Sequence, residues 1–229
     1  MKSFSTQNTN KFLKQLAWWV LFLISSFYGL YAFYMGAVEI FSQFGLVTDA
    51  KYRAAPIMFV VHALSGGVVL IAGALQFNRT LLNKNRPLHR LVGKIYVYAI
   101  WVVSISAFWN AIFFDVVFPA KISFLILATL WFATTTIAFL HIRKRKIKEH
   151  REWMIRSFSL SLFFVTFSFW VPGLTGTDLP YNLAYPLAVF LSWSLNLVLA
   201  EFWIRLSRSN FAKRELSHLE KDTNTLTGR

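Results

Sequence analysis

The chain has 229 residues, 56% hydrophobic and only 15% charged, with 24 Lys and Arg against 10 Asp and Glu for a net charge of +14. A soluble domain carries about a quarter charged residues, so a water-facing globule is excluded, and 24 Phe with 9 Trp exclude a disordered chain. The absence of cysteine removes disulfides, thiolate nucleophiles, iron–sulfur clusters, Cys-based zinc sites and covalent haem attachment. A polytopic membrane protein remains.

A helix needs about 20 apolar residues to cross a hydrocarbon core roughly 30 Å thick. Six segments meet that length, at 16–38, 57–77, 91–114, 122–140, 153–171 and 181–200. Their long apolar runs lack the period-2 alternation of barrel strands, so the spans are helices. The expected fold is an all-α membrane protein of six transmembrane helices, with spans two to five forming a four-helix core. It is read as a single integral membrane domain with a polar cytoplasmic tail at 206–229. The first span follows a basic segment as a secretory signal would, but its 23 residues exceed a signal core of about 7–15. It is expected to be a retained anchor.

Twenty-one of the 24 basic residues fall on one side, in the N-terminal segment, the regions after the second and fourth spans, and the tail. Only Lys51, Arg53 and Lys121 fall on the other. Cytoplasmic loops carry the excess of Lys and Arg, so both termini are expected in the cytoplasm of a bacterium, with the spans in its inner membrane. Topology and anionic lipid account for the charge, and no nucleic-acid partner is expected.

Polar groups inside spans are costly and mark candidate sites. In the second span His62, Gly66, Gly73 and Gln76 share one helical face. That face reads either as a helix-packing stripe or as the wall of a ligand or cofactor pocket, with the glycines admitting a neighbouring helix or a flat molecule. His89 begins the third span and shares a face with Gly93 and Tyr96. His141 closes the fourth, and His150 opens the fifth on the face of Trp153, Met154 and Ser157. His89-Arg90 and His150-Arg151 hold equivalent places in successive hairpins, which suggests a tandem repeat.

Neutral imidazole binds metals and haem iron. His89 and His150 are therefore candidate axial ligands of one b-type haem near the inner surface, with His141 or His62 as substitutes. Interfacial anchoring is the alternative for a histidine beside an arginine. Glu39, Asp115 and Glu201 stand at span ends rather than inside, which disfavours a proton-coupled carrier. No Ser-His-Asp arrangement, phosphate loop or His-Glu-x-x-His motif is present, so no catalytic residue is assigned. Asn110, Asn196 and Thr134 to Thr136 read as interhelical hydrogen-bonding groups. Trp18, Trp19, Trp153, Trp170 and Trp203 read as interfacial anchors.

The stretch from His62 through Gly66, Gly73, Gln76, Phe77, Arg79, Pro87-Leu88-His89-Arg90, Gly93 and Tyr96 resembles a bacterial membrane family catalogued as domain of unknown function 2306. His150-Arg151-x-Trp153-Met154-x-Arg156-Ser157 is similar to that family's second signature. The resemblance covers about residues 55–175 and implies a multi-pass fold with His62, Gln76, His89, Arg90, His150 and Arg156 at the family's polar positions. The family more loosely resembles transmembrane di-haem cytochromes b, which place a ligand pair near each membrane face. This chain departs from that pattern: a second haem would pair His62 with a non-histidine ligand such as Met35 or Met58.

The expected function is to hold one b-type haem, or a quinone, in a His-lined pocket and pass electrons within the membrane, beside a redox or assembly partner. Arg90 and Arg156 would face haem propionates or phospholipid, and a quinone would use the His62–Gln76 face. The alternative is a non-catalytic accessory, assembly or small-molecule binding protein, with a carrier third.

Overall fold

The computed structural model describes residues 2–43 and 56–226, with side chains within 12–42 and 57–209. Lys51 and Arg53, assigned above to the far side, lie outside the described residues, as does the end of the tail at 227–229. The elements are α1 (Lys2–Gln43), α2 (Pro56–Gln76), α3 (Arg79–Lys84), α4 (Arg86–Phe113), α5 (Phe118–Arg143), α6 (Ile147–Ser161), α7 (Phe163–Thr175) and α8 (Tyr181–Leu226). Among the described residues six helical stretches are long and apolar enough to cross a membrane, with α6 and α7 together making the fifth.

The spans match the expected ones in number and order but run longer at most ends. The third begins at Arg86, the fourth continues to Arg143, and the fifth begins at Ile147. Hydropathy marks where the apolar run stops, whereas the helix stops where its backbone is capped. Asn78 accepts the Leu81 N–H to start α3, and Asn85 accepts the Leu88 N–H to start α4, each side chain satisfying an orphan donor of the first turn. The polar stretch after Arg205 stays helical to Leu226.

The expected hairpin repeat has two unlike connections. The α2–α4 link contains α3, whereas α5 and α6 are joined by a tight turn at residues 144–146. There the Lys146 N–H bonds the His141 carbonyl and the Arg145 N–H bonds the Ile142 carbonyl. Arg145 has φ 59°, the left-handed position that glycine usually fills in this helix-ending motif.

α2, α4, α5 and α6–α7 form the central bundle; α1 lies against α2, and α8 packs along α5, α6 and α7. Trp18 Nε1 donates to the Ala74 carbonyl at 3.1 Å, and Arg208 pairs with Glu152. These contacts bring the starting half of α1 and the later half of α8 to the end that holds the two basic connections, called here the basic end. The outer surface is built for lipid: Phe27, Leu30 and Tyr34 on α1 and Val198, Leu199, Phe202 and Trp203 on α8 are all exposed. Inside, small residues allow close approach. A Cβ on Gly67 would stand 2.8 Å from the Gly29 carbonyl oxygen, so α1 and α2 touch backbone to backbone. A Cβ on Gly73 would stand 2.4 Å from the Phe158 ring and 2.8 Å from that of Tyr96.

Two substitutions test this packing. Gly73→Ala overfills the site and should destabilise the protein by about 1–3 kcal/mol. Arg145→Gly relieves the left-handed strain and should stabilise it by about 1 kcal/mol. Thermal unfolding in one detergent, followed by circular dichroism, should give opposite shifts in Tm.

Candidate functional site

Three of the five histidines gather at the basic end. His150 Nδ1 lies 2.8 Å from the Ala138 carbonyl oxygen; a carbonyl only accepts, so Nδ1 carries the proton and Nε2 is left with a lone pair. His89 and His141 are half-buried, and the Nδ1 of each is buried without a partner among the described residues. His150 lies close enough to both to interact electrostatically. Among the described residues no group of three or more His, Asp or Glu is arranged to hold a metal ion.

The other sequence-selected residues near this end bind one another. Gln76 Nε2 donates to the His89 carbonyl at 3.2 Å, and Gly93 gives it room, since a Cβ there would stand 3.1 Å from Gln76 Oε1. Met154 is buried in the core. Arg156 donates through Nε and Nη2 to the two carboxylate oxygens of Glu201 on α8 and stacks over Trp153, 4.5 Å from the ring centre. It was expected to face propionates or phospholipid; its fork is instead engaged by a carboxylate of this chain. Arg90 is exposed.

A closed layer lies deeper. The Tyr96 ring is fully buried, and its hydroxyl meets Ser157 Oγ at 2.8 Å and Ser161 Oγ at 3.1 Å. Ser157 Oγ also meets Thr135 Oγ1 at 2.6 Å, and Trp131 Nε1 donates to Ser161 Oγ at 2.9 Å. One connected polar group thus ties α4, α5 and α6 together. Phe158 fills the Gly73 notch and packs on Phe77, ring centres 5.1 Å apart.

Towards the opposite end α6 gives way to α7 at Leu162, and the helices line a partly open cavity of about 420 Å³. Trp131 and Ser161 belong both to the closed layer and to the cavity wall. The aromatic and apolar lining includes Tyr31 and Met35 of α1, Phe124 of α5, Phe163 and Phe167 of α7, and Tyr185 of α8. His62 and Asn110 add polar groups to the wall, as does Ser161. His62 Nδ1 is 3.5 Å from Ser106 Oγ, while Asn110 Oδ1 is buried without a partner. A Cβ on Gly66 would meet only a Val103 methyl, at 3.8 Å, so this glycine leaves open space.

The four-residue stripe on α2 therefore divides. His62 and Gly66 line the cavity, whereas Gly73 and Gln76 serve packing around Phe158 and Gly93. Met35, named above only as a conceivable ligand, shares the cavity with His62. Asn196 and Thr136 do bond across helices, to Thr166 Oγ1 and from Trp101 Nε1, both at 3.1 Å. Asn110, expected to do the same, has its carbonyl oxygen unpaired beside the cavity. Sequence reasoning missed it because one polar residue in a span looks the same whether it meets a neighbour or a void.

The fold and the lipid-facing surface define a six-helix integral membrane protein. The family described as "Predicted membrane protein (DUF2306)" matches residues 59–204, and the chain belongs to it. No curated protein and no solved structure matches, and the looser likeness to cytochromes b gains nothing from these comparisons.

Tyr96→Phe should cost about 0.5–1.5 kcal/mol, because Ser157 keeps Thr135 and Ser161 keeps Trp131 when the phenol hydroxyl is removed. Denaturant titration in mixed micelles against wild type measures it.

Proposed function

We propose that the protein binds a lipid-soluble ring compound of the quinone class in the cavity at His62 and takes part in electron transfer within the membrane. The observation that carries this reading is that His62 and Asn110, whose Oδ1 has no partner among the described residues, stand together in a mostly aromatic and apolar wall. Small-molecule sites have this make-up: apolar lining, a few placed polar groups and a volume of roughly 300–1,000 Å³. A planar ring with oxygens at its edge suits aromatic walls and two hydrogen-bonding side chains. By the distribution of Lys and Arg, the basic end belongs on the cytoplasmic side of a bacterial inner membrane.

A b-type haem between His89 and His150 fits less well. The donors suit it, since the Ala138 carbonyl orients His150 in the manner common among ligating histidines. The space does not: a porphyrin held there would extend into the layer where Tyr96 touches Ser157 and Phe158 fills the Gly73 notch. Gly93, which would have admitted the ring, faces Gln76.

Decylubiquinone added to protein in quinone-free nanodiscs should quench tryptophan fluorescence saturably through Trp131. Gly66→Phe, which projects into the cavity, should abolish the saturable component while leaving Tm within a few degrees of wild type. Linear quenching alone in the wild type would overturn the proposal, and a reduced b-type spectrum from haem-replete cells would overturn the argument against haem. For orientation, the chain's lack of cysteine allows Lys146→Cys and Thr177→Cys to be labelled singly. An impermeant maleimide should reach Thr177→Cys in intact cells and Lys146→Cys only after lysis.

A further inference from the structure

Resting on the quinone-class reading, we infer that the His62 pocket selects the reduced, hydroxyl-bearing form of its ligand over the oxidised, carbonyl-bearing form. The argument starts from the one hydrogen of a hydroxyl group. Ser106 Oγ donates it to the Val103 carbonyl at 2.9 Å, so the hydroxyl offers the His62 ring only a lone pair. Nδ1, 3.5 Å from that oxygen, carries the proton.

His62 lies within the hydrocarbon depth of α2, and none of the described residues lining the cavity is acidic. An unpaired imidazolium there would be costly, so the ring is neutral and holds a single N–H. That N–H is at Nδ1, which leaves Nε2 a lone pair with no bonding partner among the described residues. The part of His62 offered to a ligand in the cavity is an acceptor. A quinol hydroxyl donates to it, whereas a quinone carbonyl opposes it lone pair to lone pair. The Asn110 amide can turn either end to a ligand and so does not discriminate; His62 sets the preference. Sites built around a ligand hydroxyl reject analogues lacking it strongly, and the expected preference here is at least about tenfold.

The experiment uses the full chain in quinone-free nanodiscs under anaerobic conditions. Dissociation constants are measured for decylubiquinol and decylubiquinone, each by competition against a fluorescent quinone analogue. In parallel, nitrogen-15 NMR of labelled histidine reads the tautomer of His62, assigned by its loss in His62→Gln. The expected result is decylubiquinol binding at least about tenfold more tightly, an Nδ1–H tautomer, and equal affinities in His62→Leu. Equal or reversed affinities in the wild type would overturn the inference and leave the quinone-class pocket standing. An Nε2–H tautomer would overturn it whatever the affinities, and without dependence on how His62→Leu folds. Binding of neither compound would overturn the quinone-class reading and this inference with it.

Discussion

Phe158 occupies the place where a Cβ on Gly73 would stand, and the closeness of α6 to α2 follows from that fit. Hydrocarbon solvates apolar side chains as well as a protein interior does, so helices in a bilayer associate through packing and hydrogen bonds rather than by escaping solvent. A ring set into a glycine notch gains contact that lipid cannot reproduce. Tyr96 then reaches Ser157 and Ser161, while Trp131 and Thr135 complete the junction from α5. With the basic half of the bundle closed in this way, the change from α6 to α7 at Leu162 and the cavity are both left to the other half.

Polar groups are distributed in keeping with this division. Many interior hydroxyls bond to carbonyls of their own helices, as Ser192 does to Ala188 and Thr135 to Trp131. Ion pairs of Arg156 with Glu201 and of Arg208 with Glu152 bridge α6 and α8 near the basic end. Together they fix the sixth span against the fifth. The cavity wall has a different chemistry, because Asn110 Oδ1 meets no backbone N–H and no side-chain donor among the described residues.

The six spans and their four-helix core were legible because each needs only a run of apolar residues, which hydropathy measures directly. His62 and Gly66 were legible as a polar and small face on α2. What separated them from Gly73 and Gln76 on the same face was not: the difference lies in which side chains of α4 and α6 arrive opposite, and that depends on interhelical register. The break at Leu162 carries no proline or glycine to announce it. Arg156 was read as free to meet an anion because Glu201 stands 45 residues away in sequence. The left-handed turn at Arg145 was hidden for a related reason, since arginine there gives none of the signal that glycine would.

The apolar cavity wall has a consequence for how any occupant is chosen. A molecule entering from water would gain free energy from every apolar contact, and affinity would rise with its size. A molecule entering from the bilayer leaves surroundings already as apolar as Phe124, Phe163 or Phe167, so most of that gain cancels. Recognition then falls to shape and to the polar side chains of the wall, and abundance in the lipid phase compensates for modest affinity. Occupancy of such a site tracks the mole fraction of its ligand among the lipids, so the composition of the membrane itself sets how full the site is.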